Sequence, residues 1–337
     1  MQNIDTLIKV MEASDARRDE RRRFLRVAGS ATALAGGLSL LSACGDDDDN
    51  EVSAAPPTPA PTVSPAAVTD VDILNFALQL EYLEAQFYSY AAFGTPLPAG
   101  QLTGTGTAGA VVTGGSAGPR QVAFTDQVVA QYAREIAADE IAHVAFLRRT
   151  LGTAAVAQPA INISGDATGA FTAAARAAGV VPATGTFDPY SSDEFFLLGA
   201  YIFEDVGVTA YKGAAPLISN KAILEASAGI LAAEAYHAGL VRTILYRKGV
   251  DTPLLRTAAG QISDARDSLD GSSDLDQGIV GDANVSNIVP VDANAIAFSR
   301  TTGQVLNIVY LNRASVTAGG FFPAGLNGNI RTAAANP

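Results

Sequence analysis

The chain has 337 residues, with 22 Lys and Arg against 34 Asp and Glu, which gives a formal net charge of −12 at pH 7. An acidic chain without a basic patch argues against binding to nucleic acid. With only one cysteine, thiolates cannot form a structural zinc site.

The first 43 residues have the features of an export signal. The segment Arg21-Arg22-Arg23-Phe24-Leu25-Arg26 matches the twin-arginine pattern, and an apolar stretch from Val27 to Leu41 follows it. This stretch of about 15 residues is shorter than the roughly 20 that span a bilayer, which argues against a retained transmembrane helix. We therefore predict export by the twin-arginine pathway to the periplasm or cell envelope.

The end of this signal resembles a lipoprotein cleavage box, Leu41-Ser-Ala-Cys44-Gly45. Cleavage there would make Cys44 the lipidated first residue of the mature chain and anchor the protein to a membrane. A free thiol or an intermolecular disulfide is the alternative role for Cys44. Residues 44–68 are acidic and then rich in Pro, Ala and Thr, a composition that predicts a tether.

The region 69–249 contains four long periodic segments and predicts an all-α four-helix bundle. The predicted helices are A at about 70–93, B at about 121–151, C at about 192–214 and D at about 219–248. Helix D is expected to stop at Gly249, and the long connection between B and C contains a predicted short helix near 168–178. A long B–C crossover is typical of ferritin-like connectivity.

Beyond the bundle, residues 250–337 are rich in Gly, Asp, Asn and Ser and contain only short apolar runs. This composition predicts an irregular C-terminal extension that packs on the bundle. The extension is expected to cover one end of a site or to form an interface.

The two histidines each follow a glutamate by three positions, in Glu140-x-x-His143 and Glu234-x-x-His237. On a helix this spacing places the carboxylate and the imidazole on one face. Helices A and C each contain a further glutamate, followed seven residues later by a tyrosine, so the chain contains an internal repeat. The predicted metal ligands are Glu81, Glu140, His143, Glu204, Glu234 and His237.

The residues around these glutamates on each helix are mainly apolar, which predicts that the carboxylates face the bundle interior. Four buried carboxylates repel one another unless they are protonated or neutralised. Two divalent metals would balance them, and oxygen-rich ligation with imidazole suits iron or manganese. We therefore predict two Fe or two Mn ions per chain.

Five further residues lie near the predicted site. Glu84 shares a face with Glu81 and is either an extra ligand or outer acid, or a partly solvated helix residue. Tyr88 and Tyr211 either have a catalytic role, by hydrogen-bonding the ligating carboxylates or by carrying an oxidising equivalent, or are simply core residues. Arg148 and Arg242 either pair with site carboxylates or, as we favour, occupy solvated helix ends.

The region beyond the tether resembles the ferritin-like proteins related to plant desiccation-related proteins, a family with bacterial, plant and fungal members. The segments that carry the resemblance are Leu74–Tyr88, the Glu140 and Glu234 motifs, Gln304–Tyr310 and Gly319–Gly328. The resemblance implies a ferritin-like fold and an association with stress or desiccation. It does not define a reaction.

Three functions agree with the sequence. The protein could be a dinuclear oxidoreductase that acts on oxygen or peroxide, in the manner of a manganese catalase or a peroxidase. It could instead oxidise or sequester ferrous iron, or it could protect membranes or proteins without catalysis and keep a structural site. The expected partners are a small-molecule oxidant or a metal ion, and the sequence leaves open whether the chain forms a homo-oligomer.

Overall fold

The structure is a computed structural model and describes residues 68–336. The predicted signal, Cys44 and the predicted tether up to residue 67 lie outside the described residues. Within the described range the regular secondary structure is helical, and strand-like pairing occurs only at isolated bridges. In this part of the chain no helix is long and apolar enough to cross a membrane.

The predicted four-helix bundle is confirmed. Helix α1 packs mainly on α2 and α4 mainly on α5, and the two pairs meet where α1 contacts α4 and α2 contacts α5. The short helix α3 lies in the crossover between the pairs. Along the described chain the helices are α1 Asp70–Phe93, α2 Gln127–Leu151, α3 Ala170–Ala177, α4 Asp193–Ala214, α5 Lys221–Asp251, α6 Leu254–Asp270 and α7 Thr302–Val309.

Capping residues explain where the first pair of helices begins and ends. Thr69 and Asp72 form a capping box at the start of α1, and Gly94 ends this helix in the left-handed conformation with φ 73°. The start of α2 differs from the predicted position near 121. It begins at Gln127 because the Asp126 side chain accepts two backbone N–H groups of the first turn.

Gly249 does not end a helix, which corrects the predicted end of helix D. Helix α5 continues through it to Asp251, and α6 begins directly after Pro253. A Cβ atom at Gly249 would collide with the side chain of Arg256 on α6. The glycine therefore serves the close approach of two consecutive helices.

Two helices, α6 and α7, lie in the extension that the sequence predicted to be irregular. Helix α6 buries Leu255, Ala259, Ile262 and Arg266, which are spaced three or four residues apart. It packs on α4 and α5, and α7 packs on α4 and α6. These two helices therefore cover the side of the bundle formed by the second helix pair.

A buried ion cluster joins this extension to α4 and α5. The guanidinium groups of Arg242, Arg266 and Arg300 lie 2.5 to 2.9 Å from aspartate oxygens. Arginines and aspartates are equal in number, so the charges are paired in a region that excludes water. The members of the buried ion cluster are Asp205, Arg242, Arg266, Asp270, Asp276 and Arg300.

Candidate metal centre

Each of the four bundle helices contributes one of the predicted glutamate ligands to the same buried region of the core. These are Glu81 on α1, Glu140 on α2, Glu204 on α4 and Glu234 on α5, and none is more than 1% exposed. Each glutamate lies on the face of its helix that packs against the rest of the bundle, as the apolar neighbours predicted.

The first group of ligand-type atoms surrounds His143. Its Nδ1 lies 3.2 Å from Glu81 Oε2, 3.5 Å from Glu140 Oε2 and 3.7 Å from Glu234 Oε1. Ligand atoms of these four residues all lie within 4.8 Å of one another. One imidazole nitrogen and three carboxylates at this separation suit a single divalent ion.

The second group surrounds His237, whose Nδ1 lies 3.0 Å from Glu140 Oε1 and 3.8 Å from Glu204 Oε2. Ligand atoms of Glu204, Glu234 and His237 lie within 4.8 Å of one another. Glu234 thus belongs to both groups, and Glu140 turns one oxygen towards each histidine. The structure brings together all six predicted ligands, which we call the Glu/His cluster.

The hydrogen bonding of the Glu/His cluster fits a metal pair. Eight of its buried side-chain atoms have no hydrogen-bond partner, although donors and acceptors outside such sites are normally paired. Two divalent ions would supply these atoms with ligand bonds and neutralise the four glutamates. The unpartnered atoms are Glu81 Oε2, both oxygens of Glu140 and of Glu234, Glu204 Oε2, and Nδ1 of His143 and His237.

Without metal, the Glu/His cluster holds protons. Burial raises the pKa of Glu81 to about 7 and that of Glu204 to about 8. Burial also opposes ionisation of Glu140, but the adjacent His143 and His237 outweigh it and lower the pKa of Glu140 below its usual value. Metals bind deprotonated ligands, so metal binding must release protons and should strengthen as pH rises.

The two predicted tyrosines hydrogen-bond to the Glu/His cluster across the repeat. Tyr88 on α1 donates to Glu204 Oε1 on α4, and Tyr211 on α4 donates to Glu81 Oε1 on α1. Both hydroxyls are buried, so each bond fixes the orientation of a carboxylate whose other oxygen has no hydrogen-bond partner. Both tyrosines therefore orient glutamates of the Glu/His cluster, while a role as carriers of an oxidising equivalent stays a prediction.

Glu84 is a fifth buried carboxylate beside the Glu/His cluster. It is only 6% exposed, so the partly solvated alternative does not describe it. Burial, followed by the charges of Glu140 and Glu204, raises the pKa of Glu84 well above its usual value. Glu84 is absent from both groups of ligand-type atoms.

Gly207 occupies the position that the repeat makes equivalent to Glu84. A Cβ atom there would lie too close to Glu234 Oε2 and 3.6 Å from Glu84 Oε1. The structure shows that the lack of a side chain at Gly207 gives both carboxylates room.

The favoured interpretation is wrong for Arg242, which does not occupy a solvated helix end, whereas Arg148 lies half-exposed in the last turn of α2, as predicted. Arg242 is fully buried and binds Asp205 in the buried ion cluster, together with carbonyl groups of the extension. Arg148 donates to the Tyr82 hydroxyl and to the Thr103 carbonyl. Neither contacts the Glu/His cluster, because the loop and the extension fold back over the helices at these positions.

Asp139 contacts a predicted metal ligand, His237, and was not identified from the sequence. Its Oδ2 lies 3.1 Å from His237 Nε2, the ring nitrogen opposite the one that faces the Glu/His cluster. A carboxylate in this position orients the imidazole and makes it a stronger ligand. The repeat places Ala233 at the equivalent position, so it supplies no such carboxylate for His143. This difference between two otherwise similar motifs was visible in the sequence.

We expect Asp139→Asn to lower the affinity of the protein for one of the two metal ions. Asparagine keeps the shape of the side chain but lacks the negative charge that makes the imidazole a stronger ligand, and mutation of an outer partner of this kind lowers metal affinity by about 10- to 100-fold. Chelator competition should show one weakened ion and one unchanged ion, because only His237 contacts Asp139. Glu135→Gln, an exposed position on the same helix, is the matched control. Equal retention of both ions in Asp139→Asn would contradict the assigned contact.

Comparisons with known proteins agree with this geometry. A family model described as ferritin-like domain matches residues 69–247. The chain is 29% identical over 277 residues to the ferritin-like catalase Nec2 of Nesocodon mauritianus, covering 77% of this chain and 84% of the relative. It is also 29% identical over 252 residues to the desiccation-related protein PCC13-62 of Craterostigma plantagineum, covering 71% and 76%. No solved structure matches the chain.

Proposed function

Because this chain belongs to the ferritin-like domain family, we propose that the Glu/His cluster holds a pair of iron or manganese ions and disproportionates hydrogen peroxide. The observation that carries the proposal is the pair of overlapping ligand groups that share Glu234 in a buried core. The similarity to a relative named as a catalase supports peroxide as the substrate.

The reaction converts two hydrogen peroxide molecules into two water molecules and one dioxygen. One peroxide gives up two electrons and two protons, and the other receives them as its O–O bond breaks. A pair of redox-active metal ions would accept and return the two electrons. The protein must therefore hold two protons between the half-reactions.

Glu84 is placed to hold one of these protons. Five carboxylates would carry five negative charges against the four positive charges of two divalent ions, so one carboxyl group is best kept protonated in this core. Glu84 is the carboxylate that lies beside the ligand groups rather than within them. Tyr88 and Tyr211 keep Glu204 and Glu81 in place while the proton moves.

Substrate access from water is favoured between α2 and α5. The side chain of His143 is 13% exposed and that of Asp139 is 47% exposed, whereas every cluster glutamate is buried. Hydrogen peroxide needs hydrogen-bond partners along its path, and these polar side chains offer them.

We also infer that the protein acts outside the cytoplasm. The twin-arginine segment before Phe24 and the box that ends at Cys44 support export and attachment to a membrane through a lipid. A peroxide-removing protein at the cell envelope would meet oxidants before they reach the interior of the cell. The twin-arginine route carries folded proteins, which suits a protein that must bind its metal before export.

The test is reconstitution of the protein with Mn²⁺ or Fe²⁺, followed by elemental analysis and an oxygen-electrode assay with hydrogen peroxide. We expect two ions per chain and one dioxygen released for every two peroxide molecules consumed, with only background release from the metal-free protein. The metal that supports turnover identifies the cofactor. Two bound ions without dioxygen release would contradict the proposal and favour a protective role without catalysis, in line with the desiccation-related relative.

A further inference from the structure

A small apolar cavity lies directly behind the Glu/His cluster, on the side where α1 meets α4. It has a volume of about 20 Å³ and is bounded by residues of α1, α4, α7 and the segment that follows α7. Glu84 and Gly207 form its inner end, next to Glu234 Oε2. Ile308, Val309 and Phe321 of the extension form its outer wall.

The lining selects the kind of molecule that fits. Eight of the ten lining residues are apolar, and the carboxyl group of Glu84 is the ionisable group among them. Apolar cavities stay dry and take apolar ligands, and a volume slightly above that of one water-sized sphere accommodates a single small molecule. Hydrogen peroxide and water would lose hydrogen bonds in this cavity, whereas dioxygen has none to lose.

The cavity lies on the side of the Glu/His cluster away from the polar path to solvent. It lies on the α1/α4 side of the Glu/His cluster, opposite the polar α2/α5 side where His143 and Asp139 reach solvent. A larger apolar cavity of about 90 Å³ borders the buried ion cluster, but no residue of the Glu/His cluster lines it. A gas formed at the metals could therefore enter the small cavity, which is separate from the polar side proposed for peroxide access.

We propose that the cavity between α1, α4 and α7 is a dioxygen site that takes up the oxygen released from peroxide as it leaves the metal centre. This inference rests on the proposed function for the origin of the gas. It also gives a role to two segments of the extension that carried the family resemblance, because Ile308 and Val309 belong to the first and Phe321 to the second.

Methyl NMR of the full-length protein under oxygen pressure tests the site, with dioxygen itself as the paramagnetic probe. In the metal-free protein we expect oxygen to relax the methyl groups of Leu83, Val206 and Val309 at least about twofold more than those of the equally buried Val241 and Leu245, because oxygen enters apolar cavities first. Val309→Phe should fill the cavity and reduce the effect at Leu83 and Val206 to that core level.

Leu269→Phe is the matched control, because Leu269 lines a neighbouring small cavity against α7 that contains no residue of the Glu/His cluster and no Glu84. It should leave the relaxation at Leu83 unchanged. If Val309→Phe does not fold, Val206→Ile is the alternative, because it adds only one methyl group to the same cavity. It should also reduce the oxygen-induced relaxation at Leu83.

Equal relaxation of cavity and core methyl groups, or no response to filling, would overturn the dioxygen site. Because the measurement uses metal-free protein, it does not depend on turnover. Oxygen in the cavity of a protein that binds two ions but does not decompose peroxide would contradict the proposed function and with it the exit role, while supporting the gas site.

Discussion

Replacing Glu140 with alanine should remove both metal ions and lower peroxide disproportionation by at least about a thousandfold, because the pair acts as one unit. Glu140 has one oxygen beside His143 and the other beside His237, at 3.5 and 3.0 Å. Its loss therefore removes a ligand of the first group and, at the same time, the carboxylate oxygen beside the histidine of the second group. Elemental analysis and the oxygen electrode measure the two effects on the same sample.

Glu135→Ala is the control for Glu140→Ala. Glu135 lies on the same helix but is exposed, so this variant changes helix composition and charge equally without touching the Glu/His cluster. It should keep two ions and full activity. Retention of both ions by Glu140→Ala would show that the metals bind elsewhere, and retention of one would show that Glu140 belongs to a single group.

Glu84→Gln should have the opposite pattern, with metal retained and activity lost. Glutamine keeps the shape of the side chain but cannot hold or release the proton that Glu84 is proposed to carry. Loss of a positioned proton carrier costs about 10²- to 10⁴-fold in rate. Since Glu84 lies outside both ligand groups, two ions per chain should remain bound.

The conservative variant separates proton transfer from packing. Glu84→Asp keeps an ionisable group near Gly207 and should recover part of the activity, with a changed dependence of the rate on pH. A purely structural role predicts instead that the shorter aspartate is worse than the isosteric glutamine. Loss of metal from Glu84→Gln would identify Glu84 as a ligand, the role that the sequence analysis left open.

Local patterns in the sequence were sufficient to predict the fold class and the residues that meet in the core. The repeated spacing of glutamate and histidine predicts the ligands because residues three positions apart lie on the same face of a helix. Helix α6 could have been predicted in the same way, since Leu255, Ala259 and Ile262 follow helical spacing. Its position within a Gly- and Asp-rich region hid that signal.

Other features depend on contacts between distant segments and have no local signal. Arg242 lies near the end of a predicted helix, where solvent exposure is the usual outcome, but the chain returns to cover it with carbonyl groups from residues 277–287. Gly207 is an ordinary helical glycine until Glu234 from another helix is placed against it. Such roles require the packing of the whole chain.

Because of the crossed tyrosine hydrogen bonds, only a chain in which both helix pairs have folded and packed together can bind the metal ions. Tyr88 from the first helix pair holds the glutamate of the second, and Tyr211 from the second holds the glutamate of the first. A helix hairpin folded alone would therefore lack both its partner's ligands and the hydroxyl that aligns its own. Half-formed molecules should have negligible affinity for the ions, so iron or manganese would select completely folded chains and stabilise them against opening by mass action.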